Sequence, residues 1–280
     1  MNPNLVSTHW LQDNLNDPGI RIVDIRGKVL VPEERSSAVL DHYADYTHRH
    51  IPGAVFMNWV TDITDDPQHK RIAPPEQYAR ALGKLGLTND HVIVAYDDAS
   101  NTLAARLWWT LRYYGHTKVT VLDGGWPKWR DEDRPMTAEM PTNETTDFTA
   151  RPQDGLLRQG DEVLHRLGGT TRIVDMRLPA EYDGTMSLAR MYGHIPGATN
   201  LPVNDLLQPN GTLLPKEKLV QRLATAGVDE TAPEVIFYGN VGVVSCLGIL
   251  AMRVAGLTTA ASNYDASWQE WGNDERKPLE

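Results

Sequence analysis

Short apolar runs rich in β-branched residues alternate along the chain with stretches in which apolar residues recur at helical spacing. Ile20–Asp24, Val92–Tyr96 and residues 118–122 have the character of buried strands. Between the last two, residues 102–114 carry a leucine at every fourth position, and Gly115 supplies a stop signal. This segment therefore predicts a strand–helix–strand unit, which is the building block of a parallel sheet with helices on its faces.

The same succession returns in the second half of the chain. Residues 235–238 form another β-rich run, and a helix is predicted from about residue 244 to residue 254, ending before Gly256. Four segments recur in the same order, at offsets that drift only between 151 and 142 residues. The pairs are 22–26 with 173–177, 50–54 with 194–198, 92–96 with 235–238, and 123–129 with 265–271. The repetition indicates duplication of one domain.

The pattern predicts an α/β protein of two similar domains, each with a central parallel sheet flanked by helices. Residues 131–155 are polar, contain three prolines and lack a clear apolar period, which is typical of a linker. We therefore predict a first domain over residues 1–135, a linker over 136–157 and a second domain over 158–280.

Composition narrows the class of protein. Of the 280 residues, 41% are hydrophobic and 23% charged, which fits a globular chain, and no apolar run approaches the ~20 residues that span a bilayer. The net charge of −10 repels nucleic acid and anionic membranes, so neither is expected as a partner. The first residues lack the basic and apolar regions of a secretory signal. A cytoplasmic protein is expected.

Cysteine and histidine usage offers little metal chemistry. Cys246 is the only cysteine, which excludes an intramolecular disulfide and a multi-cysteine metal site. His42, His48 and His50 cluster loosely, and we interpret that segment as a solvated loop rather than a metal site. No metal and no cofactor are predicted.

A glycine-containing loop follows the strand-like run of the second half. In parallel sheets, ligands bind beyond the carboxyl ends of the strands, so this loop is the place to look for chemistry. Its backbone N–H groups and the dipole of the next helix would form a cradle for an anion. A cysteine at its first position would be a thiolate near neutral pH. The loop consists of Gly239, Asn240, Val241, Gly242, Val243 and Val244.

These features together resemble a known family. The strand and its loop, the paired Asp-x-Arg and His-Ile-Pro-Gly-Ala segments, and the terminal Ser267–Trp271 are similar to the tandem rhodanese-type sulfurtransferases, which use thiosulfate or mercaptopyruvate. The resemblance covers nearly the whole chain. It implies that the first domain is catalytically silent. It also implies a second-domain loop of the form Cys-x-x-Gly-Val-x, whose cysteine accepts a sulfane sulfur as a persulfide and passes it to cyanide or a thiol.

The loop departs from that pattern at the position that matters most. Gly242 and Val243 match, but Gly239 stands where the resemblance places the cysteine. Val241 and Val244 occupy positions at which the family often has polar or basic residues. Because glycine has no side chain, a persulfide cannot form at position 239, and little activity is expected.

In a different alignment with the family pattern, Cys246 would be the nucleophile. That alignment would leave residues 235–238 without a role and would break the 142-residue spacing of the terminal tryptophans. We therefore interpret Cys246 as a buried, inert thiol two turns into the helix that follows the loop. A thiol that reaches the pocket is the alternative.

Five residues are predicted to support the site rather than to react: Asp175, Arg177, His194, Ser267 and Trp268. The first three recur in the first half as Asp24, Arg26 and His50. Because the silent-type half keeps them, a buried ion pair and a turn of fixed geometry are favoured over catalysis.

Three further charged residues bear on donor binding. The resemblance implies an arginine near Arg190 that helps to bind the anionic donor, and a surface arginine is an equal alternative. Asp97 and Asp98 occupy the equivalent loop of the first half, where they would repel an anion. That half is therefore expected to be structural, with its tryptophans packed in the core and at the domain interface.

Two functions follow from these observations. The leading hypothesis is a rhodanese-family sulfurtransferase that takes sulfur from a small thiosulfate-like anion to cyanide or a thiol, with little activity because of Gly239. The rival is a non-catalytic module that binds an anion or a protein partner. A phosphatase would need both a cysteine and an arginine in the loop, and the loop has neither.

Overall fold

The computed structural model describes residues 4–28, 41–65 and 71–280. The first half of the chain contributes one sheet and its flanking helices. In chain order its elements are β1 (Leu5–Val6), α1 (Thr8–Asp13), β2 (Ile20–Asp24), α2 (Tyr43–His48), β3 (Val55–Phe56), α3 (Pro75–Lys84), β4 (Val92–Tyr96), α4 (Thr102–Tyr113), β5 (Val119–Leu122) and α5 (Gly125–Asp131).

The second half repeats this order and adds a 3₁₀ turn. Its elements are β6 (Leu157–Arg158), α6 (Gly160–Leu164), β7 (Arg172–Asp175), α7 (Pro179–Tyr182), β8 (Thr199–Asn200), the 3₁₀ turn Val203–Leu206, α8 (Lys216–Thr225), β9 (Glu234–Tyr238), α9 (Val244–Ala255), β10 (Ala260–Tyr264) and α10 (Ser267–Trp271).

The two sheets have the same topology. The first has the strand order β1-β5-β4-β2-β3, and the second has the corresponding order β6-β10-β9-β7-β8. All the pairings are parallel, as in the long central pair that runs from Ile20 opposite Val92 to Asp24 opposite Tyr96. The predicted fold class is therefore confirmed. The strand expected at residue 118 begins at Val119, and the helix expected to reach residue 114 ends at Tyr113.

Helices α4 and α9 pack on each other between the two sheets and join the halves. Every residue of α4 from Thr102 to Leu111 is buried, so this helix is covered on all its faces. One continuous apolar core contains residues of both halves, among them Trp108 and Leu250. The predicted packing of the first-half tryptophans is confirmed, because the four that were considered (108, 109, 126 and 129) are all buried.

Polar contacts across the interface follow the same two-fold pattern. Asp123, which follows β5, accepts a hydrogen bond from the backbone N–H of Leu213 in the second half (2.9 Å). Asp265, which follows β10, accepts one from the backbone N–H of Ile72 in the first half (2.7 Å). Each half therefore satisfies a backbone donor of the other.

The segment between α5 and β6 contains neither helix nor strand and lies extended along the first half. The N–H of Thr146 donates to the carbonyl of Gly83, and the N–H of Arg151 donates to that of Tyr114, both at 3.0 Å. These bonds attach a polar, proline-containing stretch to the fold. The domain bounds 1–135, 136–157 and 158–280 stay a prediction.

The interpretation of residues 42–50 as a solvated loop is wrong. Helix α2 occupies most of this segment, and only His48 of the three histidines is exposed. His50 is fully buried, stacks on Tyr46 and bonds through Nδ1 to the Tyr46 carbonyl (2.8 Å). A short helix of polar residues gives little periodic signal, which is why the pattern indicated a loop. No helix in the described part of the chain is long and apolar enough to cross a membrane.

Candidate functional site

A cavity of about 520 Å³ lies between the two domains, at the N-terminal ends of α4 and α9. We call it the interdomain cavity. Most of its wall is apolar, formed by Ala99, Met176, Leu178, Val203, Val241, Val243 and Val244. Its polar side chains are Lys28, His42, Asp98, Thr102, Arg177, Glu181, Asn204 and Asn240. The cavity therefore lies beyond the carboxyl ends of the central strands of both sheets, as expected for a ligand site in this architecture.

Helix α10 holds the 239–244 loop from behind. The hydroxyl of Ser267 accepts hydrogen bonds from the N–H groups of Gly239 (3.0 Å) and Gly242 (3.1 Å) and donates to the carbonyl of Tyr264 (2.7 Å). The N–H of Trp268 donates to the carbonyl of Gly239 (3.0 Å). Two of the donors expected to cradle an anion are thus satisfied within the protein. Ser267 and Trp268 fix the loop, as support residues do.

Gly242 is the position in the loop at which the backbone needs glycine. Its φ of +68° lies in the left-handed region, and a Cβ there would come within 2.4 Å of the carbonyl oxygen of Asp265. The close approach brings the loop against the end of β10. A side chain at this position would push the loop away from the support that orients it.

Gly239 is different, because its missing side chain is replaced by a neighbour's. A Cβ built on Gly239 would lie 2.4 Å from Cγ2 of Val244, and its next nearest contact, the backbone nitrogen of Ser245, would be 3.9 Å away. Val244 is only partly buried and lines the interdomain cavity. The valine methyl thus occupies the space that a side chain at position 239 would need.

Asp97 shows what a side chain does at the equivalent position of the first half. It follows Tyr96 at the end of β4, as Gly239 follows Tyr238 at the end of β9. Its carboxylate accepts hydrogen bonds from the N–H groups of Ala99 (3.0 Å), Asn101 (2.9 Å) and Ala104 (2.8 Å). Burial raises its pKa to about 6. The donors of the first-half loop are therefore already satisfied by a carboxyl group of the protein itself.

Cys246 is buried, as predicted, but its predicted place in the helix is wrong. It is the third residue of α9 and so lies in the first turn rather than after two turns. Its Sγ donates to the carbonyl of Gly242 (3.2 Å). Burial raises its pKa to about 12, although the charge of Arg106 opposes this effect. The single thiol of the chain is therefore protonated at neutral pH and has no exposed surface.

Asp175 and Arg177 form a buried pair, and Arg177 is part of the wall of the interdomain cavity. Arg177 Nε donates to both carboxylate oxygens of Asp175 at 3.0 Å, and Nη2 donates to the carbonyl of Gly193 at 2.9 Å. The guanidinium also lies 4.2 Å from the ring centroid of Trp268. Burial disfavours the charged arginine, but the bonds to Asp175 outweigh this and raise its pKa. Asp24 and Arg26 make the corresponding pair in the first half, which is the behaviour of a structural device.

His194 and Arg190 lie away from the loop. His194 stacks on Tyr182, with ring centroids 3.7 Å apart, and its Nδ1 bonds to the Tyr182 carbonyl at 2.9 Å. It therefore fixes the turn that follows. Arg190 is exposed, its backbone N–H donates to Asn273, and it does not line the interdomain cavity. Asn273 lies just after the end of α10, and of the two alternatives for Arg190 the surface arginine fits this exposed position better.

The sequence did not indicate that residues of the first half form one wall of the interdomain cavity. His42 Nδ1 lies 2.7 Å from Asp98 Oδ2, and the other oxygen of Asp98 accepts from the N–H of Gly27 at 3.1 Å. Lys28 lines the cavity beside them. His42 and Asp98 are 56 residues apart in the chain, and the only signal was that Asp98 follows a strand. These residues face Glu181 and Asn240, whose side chains bond to each other at 2.8 Å.

The cavity is suited to binding rather than to metal chemistry. Its charges are mixed, since Lys28 and Arg177 are balanced by Asp98 and Glu181. In the described ranges, no three acidic, histidine or cysteine side chains come together as metal ligands do. A small molecule with an apolar part and one or two polar groups matches such a lining.

Comparisons with known proteins agree with one another. The family described as "Rhodanese-like domain" matches residues 7–132 and 159–274. A "putative thiosulfate sulfurtransferase" of Mycobacterium tuberculosis is 31% identical over 99% of this chain and 97% of its own length. The "sulfur carrier protein TtuD" of Thermus thermophilus is 31% identical over 96% of this chain and 93% of its own. The crystal structure of the 3-mercaptopyruvate sulfurtransferase SseA from Escherichia coli superposes with a TM-score of 0.82, at 28% identity, covering 94% of this chain and 98% of that one.

Proposed function

Since the chain belongs to the rhodanese family of sulfurtransferases, we propose that its interdomain cavity binds a small sulfur-donor anion but forms no persulfide on the 239–244 loop. The related proteins named above supply the donor class, thiosulfate or a mercapto acid. A cytoplasmic location is part of the proposal. Turnover from thiosulfate to cyanide is then little or none.

The observation that carries this proposal is the state of the only thiol. Sulfur transfer through the protein requires a nucleophile that takes up the sulfane sulfur, and thiolate is the reactive form of cysteine. Cys246 has no exposed surface, donates to Gly242 and has a pKa raised by burial to about 12. Gly239, at the mouth of the loop, has no side chain to take its place.

Anion binding has separate support. The start of α9 directs the positive end of its dipole toward the cavity, and the loop N–H groups that Ser267 does not engage add to this potential. Lys28 adds a cation from the first half. In the first half, the N–H groups of the corresponding loop donate to the Asp97 carboxylate, which shows that this geometry can direct several donors at one acid group.

The test measures chemistry and binding separately. The wild type and Cys246→Ala should form thiocyanate from thiosulfate and cyanide at the same background rate, and intact mass should show no added sulfur after thiosulfate treatment. Turnover that disappears in Cys246→Ala would mean that Cys246 is the nucleophile. Turnover that survives in that variant would mean transfer without a protein persulfide. Either result contradicts the proposal.

Binding is tested by thermal stabilisation. Thiosulfate should raise the melting temperature of the wild type saturably, because a ligand of the native state stabilises it. Val241→Asp places a carboxylate in the cavity wall and should abolish this effect. Val220→Asp is a matched control, because Val220 is an exposed valine on α8. Equal stabilisation of the two variants would exclude the interdomain cavity as the site.

The rival function, a non-catalytic module for a protein or other partner, is favoured by one observation. The wall of the interdomain cavity is mainly apolar, which suits a side chain or an organic ligand better than a bare inorganic anion. No stabilisation by thiosulfate, in a protein that also lacks turnover, would favour this function.

A further inference from the structure

A second cavity, of about 340 Å³, lies at the other end of the helix pair that joins the halves. We call it the rear cavity. The interdomain cavity is lined by the first residues of α4 and α9, whereas the rear cavity is lined by their later turns, through Trp109 and Arg112 on α4 and Arg253 on α9. The extended segment before β6 closes it at Asp154 and Leu156. The two cavities share no lining residue among those described.

Two buried indoles form part of the wall of the rear cavity. Trp108 and Trp109 are consecutive residues of α4, and each is only 1% exposed. Their Nε1 atoms have almost no accessible surface and, in the described part of the chain, no acceptor, so these N–H groups are not reached from the cavity. The two indoles therefore offer the cavity the apolar surface of their rings.

The two arginines of the rear cavity lack an anionic partner. Within the described ranges, Arg112 makes no ion pair or side-chain hydrogen bond, and its guanidinium carbon lies 5.1 Å from the ring centroid of Trp108. Among the described residues, the Arg253 side chain donates only to the carbonyls of Leu257 and Thr259. Burial lowers the pKa of both arginines, and the charge of Arg112 lowers that of Arg253 further, while Glu230 opposes this.

In the described part of the chain, no carboxylate forms an ion pair with Arg112 or Arg253, and Glu230, which lies near Arg253, bonds instead to Thr258 and Thr259. Asp154 lines the cavity but is exposed and forms no ion pair with either arginine. Two partly buried cations that destabilise each other would both be stabilised by one anion between them. The rest of the wall includes Leu156, Ile249 and the two indole rings, which is apolar surface that a bare inorganic ion would leave uncovered.

We propose that the rear cavity binds a small organic carboxylate with an apolar body. Its carboxylate lies between Arg112 and Arg253, and its apolar body packs against the Trp108 ring and Ile249. The cavity volume is at the lower end of the range for small-molecule sites, which fits a ligand of about the size of an aromatic or branched-chain acid. This site is independent of the sulfur-donor site proposed above.

The test is calorimetric titration of the full chain with benzoate, with benzamide as the neutral isostere and sulfate as the bare anion. Benzoate should bind saturably at one site per chain, and the other two should bind at least about tenfold more weakly, as the loss of a charge-assisted contact or of apolar burial requires. Sulfate binding as tight as that of benzoate would overturn the organic-ligand assignment. Benzamide binding as tight as that of benzoate would overturn the role of the arginines.

Two variants locate the site. Arg112→Gln should weaken benzoate binding by about tenfold or more, whereas Arg222→Gln, which changes an exposed arginine in the last turn of α8, should leave it unchanged. If Arg112→Gln does not fold, Thr117→Asp places a carboxylate at the exposed edge of the rear cavity and should weaken binding at least several-fold through like-charge repulsion. Unchanged benzoate affinity in a folded variant of either kind, or no saturable benzoate binding by the wild type, would overturn the proposal.

Discussion

The two loops that follow β4 and β9 have the same place in the fold but hold different occupants. In the first half, the Asp97 carboxylate fills the loop and accepts three backbone N–H groups. In the second half, Gly239 leaves that place to a methyl group of Val244, and Ser267 satisfies two N–H groups from behind. A cradle built by the backbone therefore does not by itself define an anion site. The residue at the first position of the loop decides whether the loop holds a carboxylate of the protein, an anion from solution or no anion.

The loops also differ in what holds them in place. Both loops accept a backbone N–H from the helix behind them, from Trp126 at Asp97 and from Trp268 at Gly239, but only the Asp97 loop is also fixed by a carboxylate of its own. In the second loop, the Gly242 carbonyl accepts from Arg106 of the first half (3.0 Å), from Asn263 (3.1 Å) and from the thiol of Cys246. Both loops reach the domain interface, since the Asn101 side chain donates to the carbonyl of Gly211 in the second half (3.1 Å). The second loop differs in that its contact from the other half is a buried arginine.

The largest expected effect comes from restoring a thiol to the second loop. Gly239→Cys combined with Val244→Ala should raise thiocyanate formation from background to measurable turnover. The cysteine would point at the loop N–H groups as Asp97 does, where its thiolate is favoured. Gly239→Cys alone should be much less active, since Val244 Cγ2 occupies the place of its side chain.

Ala224→Cys is the control for the thiol variants, because it adds an exposed thiol on α8, far from both loops. It should leave turnover at background. If the folded double variant is as inactive as this control, the second loop has lost more than its nucleophile, and the comparison with Asp97 does not hold.

The next effect concerns the support of the second loop by the first half. Arg106→Met removes one partner of the buried pair with Asp265 and the donor to Gly242, and should lower the free energy of unfolding by about 3–5 kcal/mol. Arg130→Met, which breaks an exposed pair with Asp131, should cost no more than about 1 kcal/mol. Chemical denaturation measures both. Similar losses in the two variants would show that the second loop does not need the interface.

A smaller loss is expected when the first loop is emptied. Asp97→Gly removes three buried hydrogen bonds at the start of α4 and should cost about 2–3 kcal/mol. Asp97→Asn, which keeps one acceptor oxygen, should cost less. The pKa of Asp97 is about 6 in the native protein, whereas an Asp carboxyl in an unfolded chain has a pKa of about 3.9. Its protonation therefore stabilises the native state fully below pH ~4, and this contribution to the free energy of unfolding is lost as the pH rises through 6.

The pH dependence separates this carboxylate from an ordinary helix cap. The stability advantage of the wild type over Asp97→Asn should be larger at pH 4.5 than at pH 7.5. An advantage that grows with pH would mean that Asp97 is held as a stabilised anion with a depressed pKa, and the first loop would then be the better anion site of the two.

The smallest effect concerns Cys246, whose counterpart in the first half is Ala104. Because burial raises the thiol pKa to about 12 from about 8.5 in an unfolded chain, its contribution to stability is present below pH ~8.5 and is lost as the pH rises toward 12. The stability difference between the wild type and Cys246→Ala should shift by about 2 kcal/mol against the wild type from pH 8 to pH 10. A pH-independent difference would indicate an accessible, normally titrating thiol.

Much of the fold could be predicted because its signals are local. The β-branched runs at β2 and β4 and the leucine spacing of α4 identified their elements to within a residue or two. Duplication then allowed each half to support the assignment of the other. The topology of both sheets follows from repeated strand–helix–strand units.

The site was harder to predict because it depends on contacts between distant segments. Nothing in the sequence near His42 indicates that its side chain contacts Asp98. The packing of Val244 into the space of a side chain at position 239 depends on the rotamer of that valine. The predicted start of the helix at about residue 244 agrees with α9, so Cys246, two positions later, belongs in the first turn, and placing it two turns along overestimated its distance from the loop. Burial of the thiol was predicted correctly because it needs only an apolar neighbourhood.

Helix α4, enclosed on all its faces, has a consequence for the synthesis of the chain. The residues of α9 that cover its outer side are translated on the order of ten seconds after α4 itself, at ordinary elongation rates. During that interval the nascent first half exposes an apolar helix that contains two tryptophans. We therefore expect the ribosome-bound chain to depend on chaperones until the second half emerges, and a truncated first half to aggregate rather than to behave as a free domain.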